Sequence, residues 1–282
     1  MNDTIAALAT PHGESALSLI RISGPESRHL AQVLLARPAL PRHAVHGNYQ
    51  DRSGSLLDDV VYTFYRGPAS YSGEDSLEIS CHGSPFITER ILEDLMARGC
   101  RGAEPGEFTR RAFLNGRLDL SQAEAVMDLI RARSERAIEA AHRQLRGALG
   151  RETARLANQL LAVAVEVEAY IDFPEDDLPQ EDRNRSLEAV ERVAGEAGRL
   201  LATGRYGSLI RDGVRVVLAG ESNAGKSSLL NQLIGYDRAL VAAEPGTTRD
   251  FIEERVMLGP HSIRYLDTSG IRAGGDEVER AG

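Results

Sequence analysis

The stretch GESNAGKSS, Gly220 to Ser228, has the residue types and spacing of a loop that grips phosphate. Four residues separate Gly220 from Gly225, and Lys226 and Ser227 follow directly, between the apolar run VRVVLAG and the apolar-faced stretch LLNQLIG. In a strand–loop–helix setting the glycines let successive backbone N–H groups curl around phosphate oxygens. The helix start adds positive dipole, Lys226 reaches the terminal phosphates, and the Ser227 hydroxyl can ligate Mg²⁺. A glycine turn matching by chance is the bland alternative, and the flanking strand and helix patterns argue against it. Two more motifs follow at suitable spacing. GTTRD places Thr247 and Thr248 in a loop, where a threonine hydroxyl can complete Mg²⁺ coordination when a γ-phosphate is present. DTSG places Asp267 at the end of SIRYL, suited to hold Mg²⁺ through water, and Gly270 can offer its N–H to the γ-phosphate. Singly, GTTRD reads as a turn and DTSG as a modest signal. The three in this order point to the switch apparatus of a GTPase.

The predicted nucleotide set is Asn223, Ala224, Gly225, Lys226, Ser227 and Ser228 from the first loop, with Gly246, Thr247 and Thr248 from the second. Asp267, Thr268, Ser269 and Gly270 complete it. One position departs from the common pattern. Many GTPases carry a water-orienting glutamine just after the DxxG glycine, and here that position is Ile271, which cannot position water. Asp276, Glu277 and Glu279 in GGDEVER are the available acids, and by themselves they read as a solvated charge run.

The elements that must position these loops divide the chain into three. Residues 1–117 alternate strand-like and helix-like segments and read as a compact α/β domain. TIAALAT, ALSLIRISG, DVVYTFYRG and SLEISCHG are strands. PESRHLAQVLLA is a helix with Pro25 in its first turn, and SPFITERILEDLMARG is a helix capped by Ser84, with Pro85 at its first position and Gly99 past its end. Residues 118–210 are helical. Ser121 and Glu124 form a capping-box pattern, and Val126, Ile130, Ile138, Ala141, Leu145 and Leu149 keep helical spacing. A further helix, RSLEAVERVAGEAGRLLATG, is expected to end near Gly204. Residues 211–282 hold VRVVLAG, the loops, and the strands FIEERVML and SIRYLDT, the first half of a P-loop α/β domain. At 282 residues, 42% hydrophobic and 27% charged, the composition is that of a soluble globular protein of roughly two domains. The net charge of −9 advertises no basic body for nucleic acid. Cys81 and Cys100 form no CxxC pair, no apolar run approaches the ~20 residues of a membrane span, and the expected location is the cytoplasm, off the membrane.

Together DTIAALATPHGESALSLIRISG, SYSGEDSLEISCHG, PGEFTRRAFLNGRLDLSQAEAVMDLI, YIDFPEDD and the three nucleotide motifs make the chain resemble the MnmE (TrmE) family of tRNA-modification GTPases along its whole length. The resemblance implies an N-terminal domain that binds a formyl-tetrahydrofolate and forms a homodimer, followed by a helical domain with a GTPase domain inserted. It implies work with the flavoprotein MnmG on C5 of the wobble uridine of certain tRNAs, giving aminomethyl or carboxymethylaminomethyl groups, with tRNA met mainly through the complex. It also implies activation by K⁺, held by Asn223 with Ala242, Glu244 and Thr247, alongside Mg²⁺ on Ser227 and Thr248. Glu279 is then the residue that orients the attacking water, and Glu279, Lys226 and Asn223 are the catalytic set. The 5-formyltetrahydrofolate residues carry over to Arg21, Glu78 and Arg117, the last often lysine in the family. On physical grounds Arg21 interrupts an apolar strand, and Glu78 lies on the strand face opposite Leu77, Ile79 and Cys81, where a carboxylate can accept paired N–H bonds from a pterin. Without the resemblance, Arg21 reads as half of a structural ion pair, Glu78 as a solvent-face residue and His82 as a turn residue.

The family's NKxD guanine-reading motif and terminal CxGK motif have no match in these residues. As it stands the chain is therefore expected to fold to about residue 210 and to hydrolyse GTP negligibly. Two alternatives compete. A different switch GTPase, such as a ribosome-assembly factor, leaves the first 200 or so residues unexplained. A folate-binding dimerisation module without GTPase activity describes the chain without its missing half.

Overall fold

The computed structural model describes residues 3–36, 38–172, 183–218 and 253–267, together with residues 225, 228, 229 and 232. Two compact units make up the chain, Met1–Ala123 and Glu124–Gly282.

In the first unit, β1 (Ile5–Leu8), β2 (Ser15–Ser23), α1 (Ser27–Leu35), β3 (Ala44–Gln50), β4 (Leu56–Tyr65), β5 (Ser76–Gly83), α2 (Pro85–Ala97), β6 (Arg101–Gly102) and α3 (Glu107–Leu114) follow in order. The strands form one sheet in the order β3-β4-β5-β2-β1-β6. Only the β1–β6 pairing is parallel. Side chains alternate across a strand, so each strand contributes every second residue to one face. Ile20, Ile22, Val60, Tyr62, Phe64, Leu77, Ile79 and Cys81 share the buried face, which packs against Leu30 and Ala31 of α1 and Ile91 and Leu95 of α2. Burial pushes the Cys81 thiol up to about 11, so this cysteine behaves as a small apolar core residue.

Several boundary expectations need correction. Pro25 stands outside α1, whose N-cap is Glu26. Ser84 has the extended backbone of an N-cap before Pro85, yet its hydroxyl makes no capping bond. Two strands, β3 and β6, have no strand pattern in the sequence. The first is an edge strand mixing glycine and amides, anchored by the buried Tyr49. The second is only two residues long and follows β1 in register.

Entering the second unit, α4 (Leu120–Arg131) shows that its capping box lies two residues before the expected one. Asp119 Oδ1 accepts the Gln122 N–H at 2.8 Å, and Gln122 Oε1 accepts the Asp119 N–H at 2.8 Å. Asp119 competes well for the cap because its carboxylate also complements the helix dipole. Next come α5 (Glu135–Leu145), α6 (Ala148–Asp172) and α7 (Arg183–Asp212). Ser134 caps α5 by accepting the Ala137 N–H at 3.1 Å, and the expected apolar stripe is divided among three helices, with Leu149 already in α6; Ile130 and Ile138 are exposed while Ala137 and Ala141 are buried. Arg155 of α6 reaches Glu196 of α7 at 2.5 Å. The expected stop at Gly204 does not occur. An interior glycine lowers helix propensity by only ~1 kcal/mol, and α7 runs on to Asp212, where Gly213 with φ +82° ends it. The strands β7 (Val214–Leu218), β8 (Glu253–Leu258) and β9 (His261–Asp267) form a second sheet in the order β7-β9-β8, with Val256 and Tyr265 at its core. The chain thus has a mixed α/β N-terminal domain, a helical middle and the start of a nucleotide-domain sheet. Among the described residues no helix is long and apolar enough to cross a membrane.

Candidate functional site

The face of the first sheet opposite α1 and α2 carries Arg21 and Glu78, paired directly across the β2–β5 ladder. The two residues are 57 apart in sequence, and antiparallel register alone brings them side by side. Arg21 Nε donates to Glu78 Oε1 at 2.9 Å and Nη2 lies 2.8 Å from the same oxygen, with side chains 25% and 19% exposed. Among the described residues the second carboxylate oxygen meets only the Tyr65 hydroxyl, at 3.4 Å. Burial, then the Glu78 charge, pushes the Tyr65 phenol above its ordinary value, so it stays a neutral donor.

Two aromatic rings stand over the guanidinium. The Arg21 Cζ atom is 5.0 Å from the Tyr71 ring centroid and 5.9 Å from that of Phe108, both within cation–π range. Tyr71 comes from the β4–β5 loop and Phe108 from the first turn of α3. The Tyr71 hydroxyl bonds Thr109 Oγ1 at 2.8 Å, which ties loop to helix.

Arg117, exposed in the turn after α3, reaches the same neighbourhood through Gly73. Gly73 has φ +83°, and a Cβ there would stand 2.9 Å from Asn115 Cβ and 3.0 Å from Arg117 Cγ. Glycine therefore serves two needs at this position, left-handed backbone and close approach. Asn115 Nδ2 completes the contact by donating to the Ser72 carbonyl at 2.8 Å.

His82 lies within strand β5, as the strand pattern SLEISCHG has it, and not in a turn. Asp58 accepts both its backbone N–H and its Nδ1 at 2.7 Å, raising the imidazole above its ordinary pKa. Sequence reasoning missed Tyr65, Tyr71 and Phe108. For Tyr71 and Phe108 the signal available was the aromatic residue inside each quoted motif, SYSGED and PGEFTRR, and for Tyr65 the end of the strand pattern DVVYTFYRG.

A half-buried arginine–carboxylate pair with two aromatic rings over the arginine suits a flat, polar heterocycle. The carboxylate can accept from ring N–H groups, the guanidinium can donate to a ring carbonyl, and the rings supply stacking surface.

The nucleotide loops belong to the second unit. Strands β7 and β9 are parallel neighbours, with Leu218 opposite Asp267. The glycine loop leaves the end of β7 and DTSG leaves the end of β9, so both start from one carboxyl edge, where α/β sheets bind their ligands. Gly225 has φ +84°, a backbone available cheaply only to glycine, and its carbonyl accepts the Leu229 N–H at 2.9 Å. Ser228 is exposed. The expected residues Asn223, Ala224, Lys226, Ser227, Ala242, Glu244, Gly246, Thr247, Thr248, Thr268, Ser269, Gly270 and Glu279 lie outside the described residues. Among the described residues no group of three or more His, Cys, Asp or Glu side chains is placed to hold a metal ion.

Residues 4–117 match the family described as GTP-binding protein TrmE N-terminus, and residues 120–278 match the MnmE helical domain. The chain is 57% identical over 282 residues to the tRNA modification GTPase MnmE of Opitutus terrae, covering 100% of this chain and 62% of that protein. It is 44% identical over 283 residues to the protein of that name from Akkermansia muciniphila (99% and 63%) and 42% identical over 282 residues to that of Pseudomonas putida (100% and 62%). The chain thus spans a little over three fifths of the length of the curated relatives it matches.

Proposed function

The chain belongs to the MnmE (TrmE) family of tRNA-modification GTPases, and on that premise we propose that it is the folate-binding and phosphate-gripping part of a K⁺-activated GTPase. In this reading the protein works in the cytoplasm as a homodimer with the flavoprotein MnmG. The pair converts C5 of the wobble uridine in certain tRNAs to aminomethyl or carboxymethylaminomethyl derivatives. The names of the relatives support the GTPase and tRNA parts; the flavoprotein, the uridine and K⁺ follow from the family resemblance.

The observation that carries the GTPase reading is the parallel register of β7 and β9, which starts the Gly220–Ser228 loop and the Asp267–Gly270 loop from adjacent strand ends. Backbone N–H groups of the first loop and Lys226 would bind and orient the phosphates. Ser227, Thr248 and Asp267 would hold Mg²⁺, whose chemistry is to neutralise charge developing on the transferred phosphoryl group. Asn223, with Ala242, Glu244 and Thr247, would hold K⁺ in the place other GTPases give to an arginine finger. Glu279 would orient the attacking water, the task that Ile271 cannot perform.

For the folate part, Arg21 and Glu78 would bind the pterin edge of 5-formyltetrahydrofolate, and Arg117 would meet an anionic part of the same ligand. The Tyr71–Arg21–Phe108 stack supports that assignment.

The test of the GTPase reading joins this chain to the remaining segment of the Opitutus terrae relative and measures GTP turnover in KCl and in NaCl. Turnover is expected to rise at least tenfold in K⁺ over Na⁺ when Asn223 is present, on the scale of one charge-stabilising contact. Equal rates in the two salts would remove K⁺ and Asn223 from the mechanism.

A further inference from the structure

Beneath the aromatic wall lies a charge cluster that no expected site residue belongs to. Arg111, one turn along α3 from Phe108, has a fully buried side chain. Its Nη2 donates to Glu107 Oε1 at 3.0 Å and to Asp3 Oδ1 at 2.9 Å, and its Nη1 donates to the Asp3 carbonyl at 2.9 Å and to Glu74 Oε2 at 3.1 Å. Glu74 is the branch that leads to the site. Its Oε2 accepts from Ser23 Oγ at 2.7 Å, Ser23 Oγ stands 2.6 Å from Ser72 Oγ, and the Glu74 carbonyl accepts from Ser70 Oγ at 2.5 Å. The loop residue between these anchors is Tyr71, the ring nearest Arg21.

The chemistry of the cluster makes it a clamp. Loop backbone at a binding face is ordinarily mobile, because its polar groups are satisfied equally well by water. Here both residues flanking Tyr71 are fastened to Glu74, Ser70 to its main-chain carbonyl and Ser72, through the Ser23 hydroxyl, to its carboxylate, whose counter-ion Arg111 is buried in α3. The same Arg111 fixes the helix that supplies Phe108 and Thr109, the latter holding the Tyr71 hydroxyl. One cation thus sets the spacing of both walls.

We propose that Glu74, held by Arg111, is a positioning residue that keeps Tyr71 over Arg21 and thereby sets the affinity of the sheet-face site for a reduced folate. This rests on the folate reading of Arg21 and Glu78. The clamp acts through Tyr71 and touches no ligand atom. Its removal therefore matters only while the Tyr71 ring is present.

A double-mutant cycle on the full chain tests this, with 5-formyltetrahydrofolate as the probe and calorimetry for Kd, alongside thermal unfolding of each variant. Tyr71→Ala should raise Kd about five- to tenfold, the scale of one desolvated cation–π and stacking contact. Glu74→Gln keeps an acceptor for Ser23 but removes the charge facing Arg111, and alone it should raise Kd by about fivefold, as coupled neighbours do. In the double variant Kd should equal that of Tyr71→Ala alone. Ser72→Ala, which removes the hydroxyl link without altering charge, should behave like a weaker Glu74→Gln and covers the case in which that variant does not fold. Additive losses in the cycle, or unchanged Kd in both Glu74→Gln and Ser72→Ala, would overturn the proposal while wild-type binding sensitive to Arg21→Ala left the folate reading standing. Absence of wild-type binding would overturn both together.

Discussion

Arg21 and Arg111 sit in the same α/β unit, and each pairs with a glutamate, but their surroundings differ in kind. Both terminal nitrogens of Arg111 have acceptors, shared among Asp3, Glu74 and Glu107, and its side chain is closed to solvent. Among the described residues Arg21 has one carboxylate partner, uses a single oxygen of it, and remains a quarter exposed under two aromatic rings. A cation enclosed by three carboxylates and closed to solvent holds structure together, even though the Arg111 Nε has no hydrogen-bond partner among the described residues. A cation left with donors to spare and a partly open face can take a ligand. The difference separates a fastening from a recognition group even though both are arginine–glutamate pairs of similar length.

Removing the fastening should give the largest effect. Arg111→Met leaves Glu74 and the buried Glu107 without their shared cation, and breaking a buried pair from one side costs about 3–5 kcal/mol. Chemical denaturation of the chain, followed by circular dichroism, should show a loss of that size, whereas Arg21→Ala should cost less than ~1 kcal/mol because its pair is partly hydrated. Equal losses would erase the distinction.

Acid comes next. Hydrogen bonds from Arg101, then from the Glu104 N–H and from Arg111, outweigh burial and hold the Glu107 carboxyl down at about 2 against an ordinary 4.5. A carboxylate depressed by folding adds stability that is complete above its unfolded value and disappears as pH falls through its folded value. Stability should therefore fall between pH 4.5 and about 2, by on the order of 2 kcal/mol from this group. Glu107→Gln should be less stable at pH 7 and show a flatter acid limb. An acid limb of the same slope would place the titrating group elsewhere.

The smallest expected effects are at Arg117, which is exposed and has no ion pair among the described residues. Arg117→Ala should weaken 5-formyltetrahydrofolate binding by about three- to tenfold without moving the unfolding midpoint, the scale of one exposed charge contact. Arg117→Lys should lose less than about threefold, since charge is kept and only the fork geometry changes. A large drop in the midpoint for Arg117→Ala would make it part of the fastening.

How far these features could be read in advance depended on whether their partners are local. The two faces of β2 and β5 were legible because strand periodicity is two, so Leu77, Ile79 and Cys81 sorted away from Glu78 at sight. The glycine loop was legible for a similar reason: phosphate is held by consecutive backbone groups, so the motif is contiguous. Arg111 was not, because its acceptors sit at positions 3, 74 and 107 and only folding assembles them. Tyr71 and Phe108 were hidden in the same way, each an ordinary aromatic until the loop and α3 meet over Arg21. The helix ends failed through competition between neighbours. Asp119 outcompeted Ser121 as cap, and Gly204 was read as a stop although helix on both sides carries through it. Edge strand β3 escaped because its polar residues face solvent and leave only Tyr49 to mark the core.

That Arg21 and Glu78 face a ligand, while the Arg111 cluster faces only protein, is tested most directly by calorimetric titration of 5-formyltetrahydrofolate into the 282-residue chain. The wild type should bind, and Arg21→Ala and Glu78→Ala should each weaken binding by about 100-fold, the loss of a charge-assisted pair, with unfolding midpoints close to that of the wild type. Wild-type binding left unchanged by both substitutions would contradict the assignment of this sheet face as the folate site.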